Sequence, residues 1–159
     1  MQGFDELVET MRRLRAPGGC PWDREQTHAS IRKYVIEEAY EVAEAIDRGA
    51  PSELRGGELG DLLLQVVFHA QMAAEAGLFD VEEVCGGIVA KLHRRHPHVF
   101  GDLSVRDAAE VSRNWEEIKA RERGPDASAL DGIPRALPAL QRADRLGEIG
   151  VAFRVARQE

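Results

Sequence analysis

The chain has 159 residues, of which 43% are hydrophobic and 31% charged, and a formal net charge of −7 at pH 7. This composition predicts one folded domain with a core of its own. The acidic balance argues against binding of long nucleic acid, which needs a broad basic surface. No apolar run approaches the roughly 18 residues of a membrane span, and the amino terminus lacks a secretion signal, so we expect a cytoplasmic protein without a membrane partner.

The first half of the chain shows apolar residues at helical spacing. A first helix is predicted over residues 3–15, and residues 20–23 follow as a loop. A long second helix is predicted from Thr27, as its N-cap, to about Arg48. A third is predicted over residues 52–77.

The second half continues the helical pattern. A fourth helix is predicted over residues 80–96, opened by a capping box of Asp80 and Glu83 and ended by Pro97. Ser104 with Asp107 predicts the start of a fifth helix, which runs to about Glu122.

Sustained strand alternation is lacking, so the predicted fold class is all-α, a bundle of four to five helices. The folded domain is predicted over residues 1–123. Residues 124–159 carry several prolines and are predicted to be a linker or arm, with a short helix near residues 137–147. Antiparallel packing is expected wherever the connections are short.

Two acidic pairs interrupt the apolar stripes of the second and third helices. They are Glu38 with Glu41 and Glu58 with Asp61, each three residues apart. Residues at this spacing share one face of a helix, so two packed helices would bring four carboxylates together. Like charges about 4 Å apart cost roughly 4 kcal/mol at an effective dielectric of 20. A divalent cation is the simplest partner for such a cluster.

The ligand type predicts which ion binds. Oxygen ligands without histidine or cysteine favour Mg²⁺, with Mn²⁺ as a substitute, and Mg²⁺ in proteins commonly binds substrate phosphates. The predicted substrate is therefore a polyphosphate. Glu37 adjoins the first pair and lies four residues before Glu41, a position suited to holding or deprotonating an attacking water. A plain surface role for Glu37 is the alternative.

A basic cluster stands at the end of the fourth helix in an otherwise acidic chain. Lys91 and Arg95, one helical turn apart, are predicted to contact phosphate, because the helix dipole accounts for only one or two of the cations there. His69, amid apolar residues, is predicted to be a core histidine. Trp22 and Trp115 each have two readings, core or interface packing and stacking on a base.

The chain resembles the MazG family of nucleoside triphosphate pyrophosphohydrolases over about residues 4–145. The family signature, E-x-x-E followed after a gap by E-x-x-D, is present in full. The resembling segments are Cys20-Pro21-Trp22-Asp23, Glu37-Glu38-Ala39-Tyr40-Glu41, Glu58-Leu59-Gly60-Asp61, Arg94-Arg95-His96-Pro97-His98 and Trp115-Glu116-Glu117-Ile118-Lys119. Bacterial members of the family commonly carry two such domains in tandem, and the chain resembles the amino-terminal one.

This resemblance implies an interlocked homodimer or higher homo-oligomer, and Mg²⁺-dependent hydrolysis of NTPs and dNTPs to the monophosphate and pyrophosphate. The role implied is nucleotide-pool housekeeping. Three groups of site residues are carried over by it: metal ligands Glu38, Glu41, Glu58 and Asp61; phosphate contacts Lys91, Arg94 and Arg95; and a base contact, Trp115.

Two alternatives remain open at the level of sequence. One is a related all-α pyrophosphohydrolase restricted to dUTP or phosphoribosyl-ATP, since the carboxylate set is shared and only the base pocket differs. The other is a catalytically weak helical module that senses nucleotides or binds a partner.

Overall fold

The computed structural model describes residues 2–123, 133–134 and 136–155, with only the backbone course given for residues 148–155. Every regular element in these ranges is helical, which confirms the all-α prediction. The α-helices are α1 Gln2–Arg15, α2 Pro21–Glu25, α3 His28–Asp47, α4 Pro51–Glu53, α5 Leu59–Glu75, α6 Val81–Arg95, α7 Pro97–Phe100, α8 Ala108–Arg123 and α9 Ala139–Val155. A π-helical segment, Leu54–Glu58, joins α4 to α5.

The chain divides into two compact units, Met1–Lys91 and Leu92–Glu159, with the division inside α6. The first unit contains α1 to α5 and most of α6. The second contains the end of α6 followed by α7, α8 and α9. The domain boundary predicted between residues 123 and 124 stays a prediction, because residues 124–132 lie outside the described residues.

Local signals place most helix ends. Thr27 caps α3 through a capping box with Ser30, in which each side chain bonds the other's backbone N–H. The predicted capping box at the start of α6 is confirmed by the bonds between Asp80 and Glu83. Gly49 follows α3 with φ of +62°, a left-handed conformation that glycine adopts without strain.

Three local predictions are corrected. The loop expected at residues 20–23 is instead the start of α2, with Pro21 at its first position, where a missing N–H costs nothing. Asp107, not Ser104, caps α8, because its carboxylate accepts the Glu110 N–H at 2.8 Å. The short helix expected in the tail is longer, since α9 runs from Ala139 to Val155.

The core of the first unit forms where α1 and α3 pack on α5. Its apolar centre consists of five residues: Met11, Ile31, Val67, Phe68 and Met72. Arg15 closes one side of this core. Its guanidinium lies 5.5 Å from the centre of the Phe68 ring, donates to Glu75 at 2.7 Å and also bonds the Asp23 carbonyl. This arrangement ties α1, α2 and α5 together and lowers the pKa of Glu75.

No helix in the described ranges is both long and apolar enough to cross a membrane.

Candidate functional site

Three carboxylates from three packed helical segments meet at one point of the first unit. Glu38 lies in the middle of α3, Glu58 is the last residue of the π-helical segment, and Asp61 lies in the first turn of α5. One carboxylate oxygen from each lies within 4.8 Å of the others. Because α3 packs on both the π-helical segment and α5, the two acidic pairs of the sequence are brought together.

The pKa of Glu38 is raised above its usual value of 4.5. Burial is the largest cause, followed by the negative charges of Glu41, Asp61 and Glu58. Glu41 lies outside the closest trio but within hydrogen-bonding reach of the Glu38 carboxyl. The other three predicted carboxylates therefore each act electrostatically on Glu38.

No lysine or arginine neutralises this cluster within the described part of the chain. None of the ion pairs found there includes Glu38, Glu41, Glu58 or Asp61. Arg48, the arginine at the end of α3, pairs instead with Glu44 and Glu53.

The donor set fits a hard divalent cation. Two ligands on opposite sides of an octahedral Mg²⁺ lie about 4.2 Å apart, close to the observed limit of 4.8 Å for Glu38, Glu58 and Asp61. Charge, ligand type and spacing together therefore suit Mg²⁺ or Mn²⁺.

The π-helical segment supplies a feature that the periodicity analysis missed. Leu54–Glu58 carries the wider turn immediately before α5, and Gly56 and Gly57 lie within it. A π turn inserts an extra residue into the helical register, so it re-aims the side chains on one side of it. Glu58 is the last residue of this segment. The adjacent glycines, which weaken an α-helix, were the sequence signal for it.

Two predicted site residues of the first unit lie outside this cluster. Glu37 is exposed on α3 next to Glu38, and no hydrogen bond or ion pair involves it within the described ranges. Lys91 is exposed near the end of α6. Neither is a member of the carboxylate trio.

Arg94 and Arg95, the predicted phosphate contacts of the second unit, both bond to Glu122, a residue that sequence reasoning missed. Arg94 donates to Glu122 of α8 at 2.6 Å, and Arg95 donates two bonds to the same carboxylate at 2.6 and 3.1 Å. These bonds lower the pKa of Glu122 to about 2. Trp115, on the same helix as Glu122, is 40% exposed and lies beside Lys119 and His96.

Sequence reasoning also missed a polar contact between α3 and α5, which His28 and His69 form. His69 bonds His28 through their Nδ1 atoms, which are 2.7 Å apart. Burial lowers the pKa of His69, with a smaller effect from His28. The prediction that His69 is a satisfied core histidine is confirmed for its hydrogen bond, although its ring is only half-buried.

Comparison with known proteins places the carboxylates inside a matched domain. Residues 26–100 match the model of the MazG nucleotide pyrophosphohydrolase domain. A nucleoside triphosphate pyrophosphohydrolase of Escherichia coli strain K12 is 56% identical over 149 residues, which are 92% of this chain and 56% of the relative.

Two further relatives span different lengths. A nucleoside triphosphate pyrophosphohydrolase/pyrophosphatase MazG of Thermotoga maritima is 50% identical over 91% of this chain and 55% of its own length. An uncharacterized protein of Bacillus subtilis, YabN, is 47% identical over 90% of this chain and 29% of its own. The chain spans about half the length of the Escherichia coli and Thermotoga maritima relatives.

Proposed function

We propose that the chain hydrolyses nucleoside triphosphates to the monophosphate and pyrophosphate with the help of Mg²⁺, because residues 26–100 match the MazG nucleotide pyrophosphohydrolase domain and the Escherichia coli pyrophosphohydrolase is 56% identical. The observation that carries the proposal is the cluster of Glu38, Glu58 and Asp61, whose oxygens lie within 4.8 Å of one another without a protein cation among the described residues. A divalent cation would neutralise such a cluster, and a polyphosphate substrate would bind the same cation.

The four carboxylates are proposed to hold the ion, with Mn²⁺ as a substitute for Mg²⁺. Glu38, Glu41, Glu58 and Asp61 would supply oxygen ligands, and the raised pKa of Glu38 reflects its burial and the negative charges of the other three. The bound ion would supply Lewis acidity toward the phosphate oxygens and the attacking water.

Glu37 and Glu38 are proposed to orient the water and accept its proton. Glu37 suits this role because it is exposed beside the cluster and has no ion-pair partner in the described chain. The water oxygen attacks the α-phosphorus, the bond from that phosphorus to the bridging oxygen breaks, and pyrophosphate leaves. Proton transfer to a positioned carboxylate contributes typically 10²–10⁴-fold to such a rate.

Lys91, Arg94 and Arg95 are proposed to contact the phosphates, and Trp115 the base. The arginine pair is charged and already fixed by Glu122, and a fixed fork of donors suits phosphate oxygens. The proposed setting is the cytoplasm, as a homodimer. Exposed apolar residues on both helices of the α3–α5 pair support the dimer. They are Ile36, Tyr40, Leu59 and Leu63, each at least 39% exposed.

The products test this function. The full chain is incubated with each common NTP and dNTP, with and without Mg²⁺, and the products are separated by anion-exchange chromatography. Monophosphate with pyrophosphate, dependent on the metal, is the expected result. Activity on dUTP alone or phosphoribosyl-ATP alone would narrow the enzyme class. Diphosphate with phosphate would contradict attack at the α-phosphorus, and binding without turnover would favour the non-catalytic module.

A second prediction concerns stability against pH. Since the pKa of Glu38 is raised by folding, its protonation stabilises the fold fully below about pH 4.5, and this contribution is lost as the pH rises through the raised pKa. A divalent cation favours the ionised form instead. Mg²⁺ at a hundredfold excess over its Kd is therefore expected to add about 2.7 kcal/mol at neutral pH, and much less near pH 4.5.

Thermal melts measured at both pH values, with and without Mg²⁺, check this prediction. For a chain of this size the shift corresponds to roughly 5–10 °C at neutral pH. The Glu38→Gln protein serves as the control, because it removes one ligand charge while keeping the side-chain volume. An equal Mg²⁺ shift in the variant, or no shift in the native protein, would count against the carboxylates as the ion's ligands.

A further inference from the structure

A cavity of about 270 Å³ lies beside the carboxylate cluster in the first unit. Its walls come from α3, α5 and the beginning of α6, and they are largely apolar. The lining includes Val35, Leu62, Gln65, Val66, His69 and Val84. Ligand sites for drug-sized molecules measure about 300–1,000 Å³, so this cavity suits a smaller planar group.

One residue of the lining carries a polar atom that makes no hydrogen bond with the described residues. Gln65 is only 8% exposed, and its Oε1 is buried without a donor among the described residues. His69, which also lines the cavity, already shares a bond with His28. A buried acceptor without a donor is unfavourable, so an N–H group that reached this atom would bind there favourably.

The helix register places this atom next to the proposed reaction centre. Gln65 lies four residues after Asp61 on α5, a rise of about 6 Å, and Val35 lies three residues before Glu38 on α3, about 4.5 Å. Residues at these spacings share a face of their helix. The cavity is therefore the next layer of the same α3–α5 contact that holds the carboxylates.

We infer that this cavity receives the nucleobase of the substrate, and that Gln65 Oε1 accepts a hydrogen bond from an amino group on the edge of the base. The inference rests on the proposed function for the polyphosphate at Glu38 and Asp61. It adds a specificity residue that the family signature does not include. Adenine, cytosine and guanine each carry an exocyclic amino group that can donate, whereas uracil and thymine carry none.

The unpaired oxygen favours a base over a second copy of this chain as the occupant. An apolar side chain from another copy would fill the volume and still leave Gln65 Oε1 without a donor. Gln65 and Trp115 are also proposed to contact the base in different ways. Stacking on an aromatic ring tolerates every base, whereas a buried acceptor discriminates between bases with and without an amino group.

The first arm of the test uses ATP and purine riboside triphosphate, which is ATP without its 6-amino group. The wild-type protein is expected to prefer ATP by about tenfold in kcat/KM, the size of one hydrogen bond to a buried acceptor. Gln65→Met keeps the side-chain volume and removes the acceptor. The ratio of the two kcat/KM values should therefore fall to about one, so that the preference for ATP disappears. Gln71→Met, a glutamine on the same helix that bonds Glu75, is the matched control and should keep the full preference.

The second arm measures binding without turnover. AMP is titrated against ribose 5-phosphate by calorimetry in the absence of divalent ions, so that the difference between them reports the base alone. AMP is expected to bind the wild-type protein at least tenfold more tightly, and both Gln65→Met and Val66→Phe should reduce that advantage. Val66 is 44% exposed, so a larger ring there can fill the cavity without displacing the core.

The two arms separate this inference from the proposed function. Base-dependent AMP binding that needs Gln65, in a protein that hydrolyses no triphosphate, would keep the cavity and remove the activity. Metal-dependent hydrolysis with an unchanged ATP preference in Gln65→Met would overturn the inference and keep the activity. A changed sedimentation coefficient in Val66→Phe with AMP binding intact would also overturn it, in favour of a second copy as the occupant.

Discussion

Replacing Glu38 by Gln, or Asp61 by Asn, is expected to lower kcat for NTP hydrolysis by about 10³-fold or more. Each change removes one charge from the closest carboxylate trio while keeping the side-chain shape. Losing about 4 kcal/mol of electrostatic stabilisation of the phosphoryl charge corresponds to a factor of this size. Steady-state release of pyrophosphate at saturating Mg²⁺ is the measurement.

Folding and catalysis can be told apart in these variants. Because the native carboxylates repel one another, both substitutions should leave the metal-free protein at least as stable as the wild type. Glu44→Gln is the matched control on α3, since the Glu44 side chain is 66% exposed and pairs only loosely with Arg48 at 3.7 Å. Near-native turnover in Glu38→Gln or Asp61→Asn, with Glu44→Gln unaffected, would remove the cluster from the mechanism.

Phe68→Ala is expected to lower the free energy of unfolding by about 3–5 kcal/mol, the usual cost of truncating a buried aromatic residue. Phe68 is 4% exposed and belongs to the core cluster of the first unit. Its ring also carries the Arg15 guanidinium, which lies 5.5 Å from the ring centre. The variant therefore loses both apolar contacts and the support of an ion pair that links α1 to α5.

Urea unfolding followed by circular dichroism measures this loss. Leu78→Ala is the comparison, because Leu78 is 70% exposed and its truncation should change stability by less than about 0.5 kcal/mol. Equal destabilisation by the two substitutions would mean that the core lies elsewhere.

The helices were largely predictable because their signals are local. Apolar residues repeat at helical spacing along α1, α3 and α5, and the caps at Thr27 and Asp80 act over three or four residues. The misses have local causes as well. Pro21 suits a loop and also the first turn of a helix, where the structure places it. Ser104 and Asp107 are both good caps a few residues apart, so the spacing alone does not choose between them.

The site was predictable in its residue types but not in its full set of contacts. Acidic residues within an apolar stripe can be recognised in the sequence itself, which made Glu38 and Asp61 predictable as site residues. Glu122 lies 27 residues from Arg95, and nothing in the spacing of the two residues pairs them. Nothing in the sequence marks Gln65 as more than a polar residue of a helix. Residues of α3 and α6 line the cavity together with it, and its Oε1 is buried without a hydrogen bond among the described residues.

The sequence by itself determined the all-α class, most of the helix ends and the two acidic pairs, because each depends on residues within about one helical turn of one another. Tertiary structure alone decided that Glu38 meets Glu58 and Asp61, that Glu122 holds the arginine pair, and that Gln65 faces a cavity. These contacts join residues from different helices. They depend on how the helices pack and on the π turn before α5. The spacing of apolar residues along the sequence predicts neither.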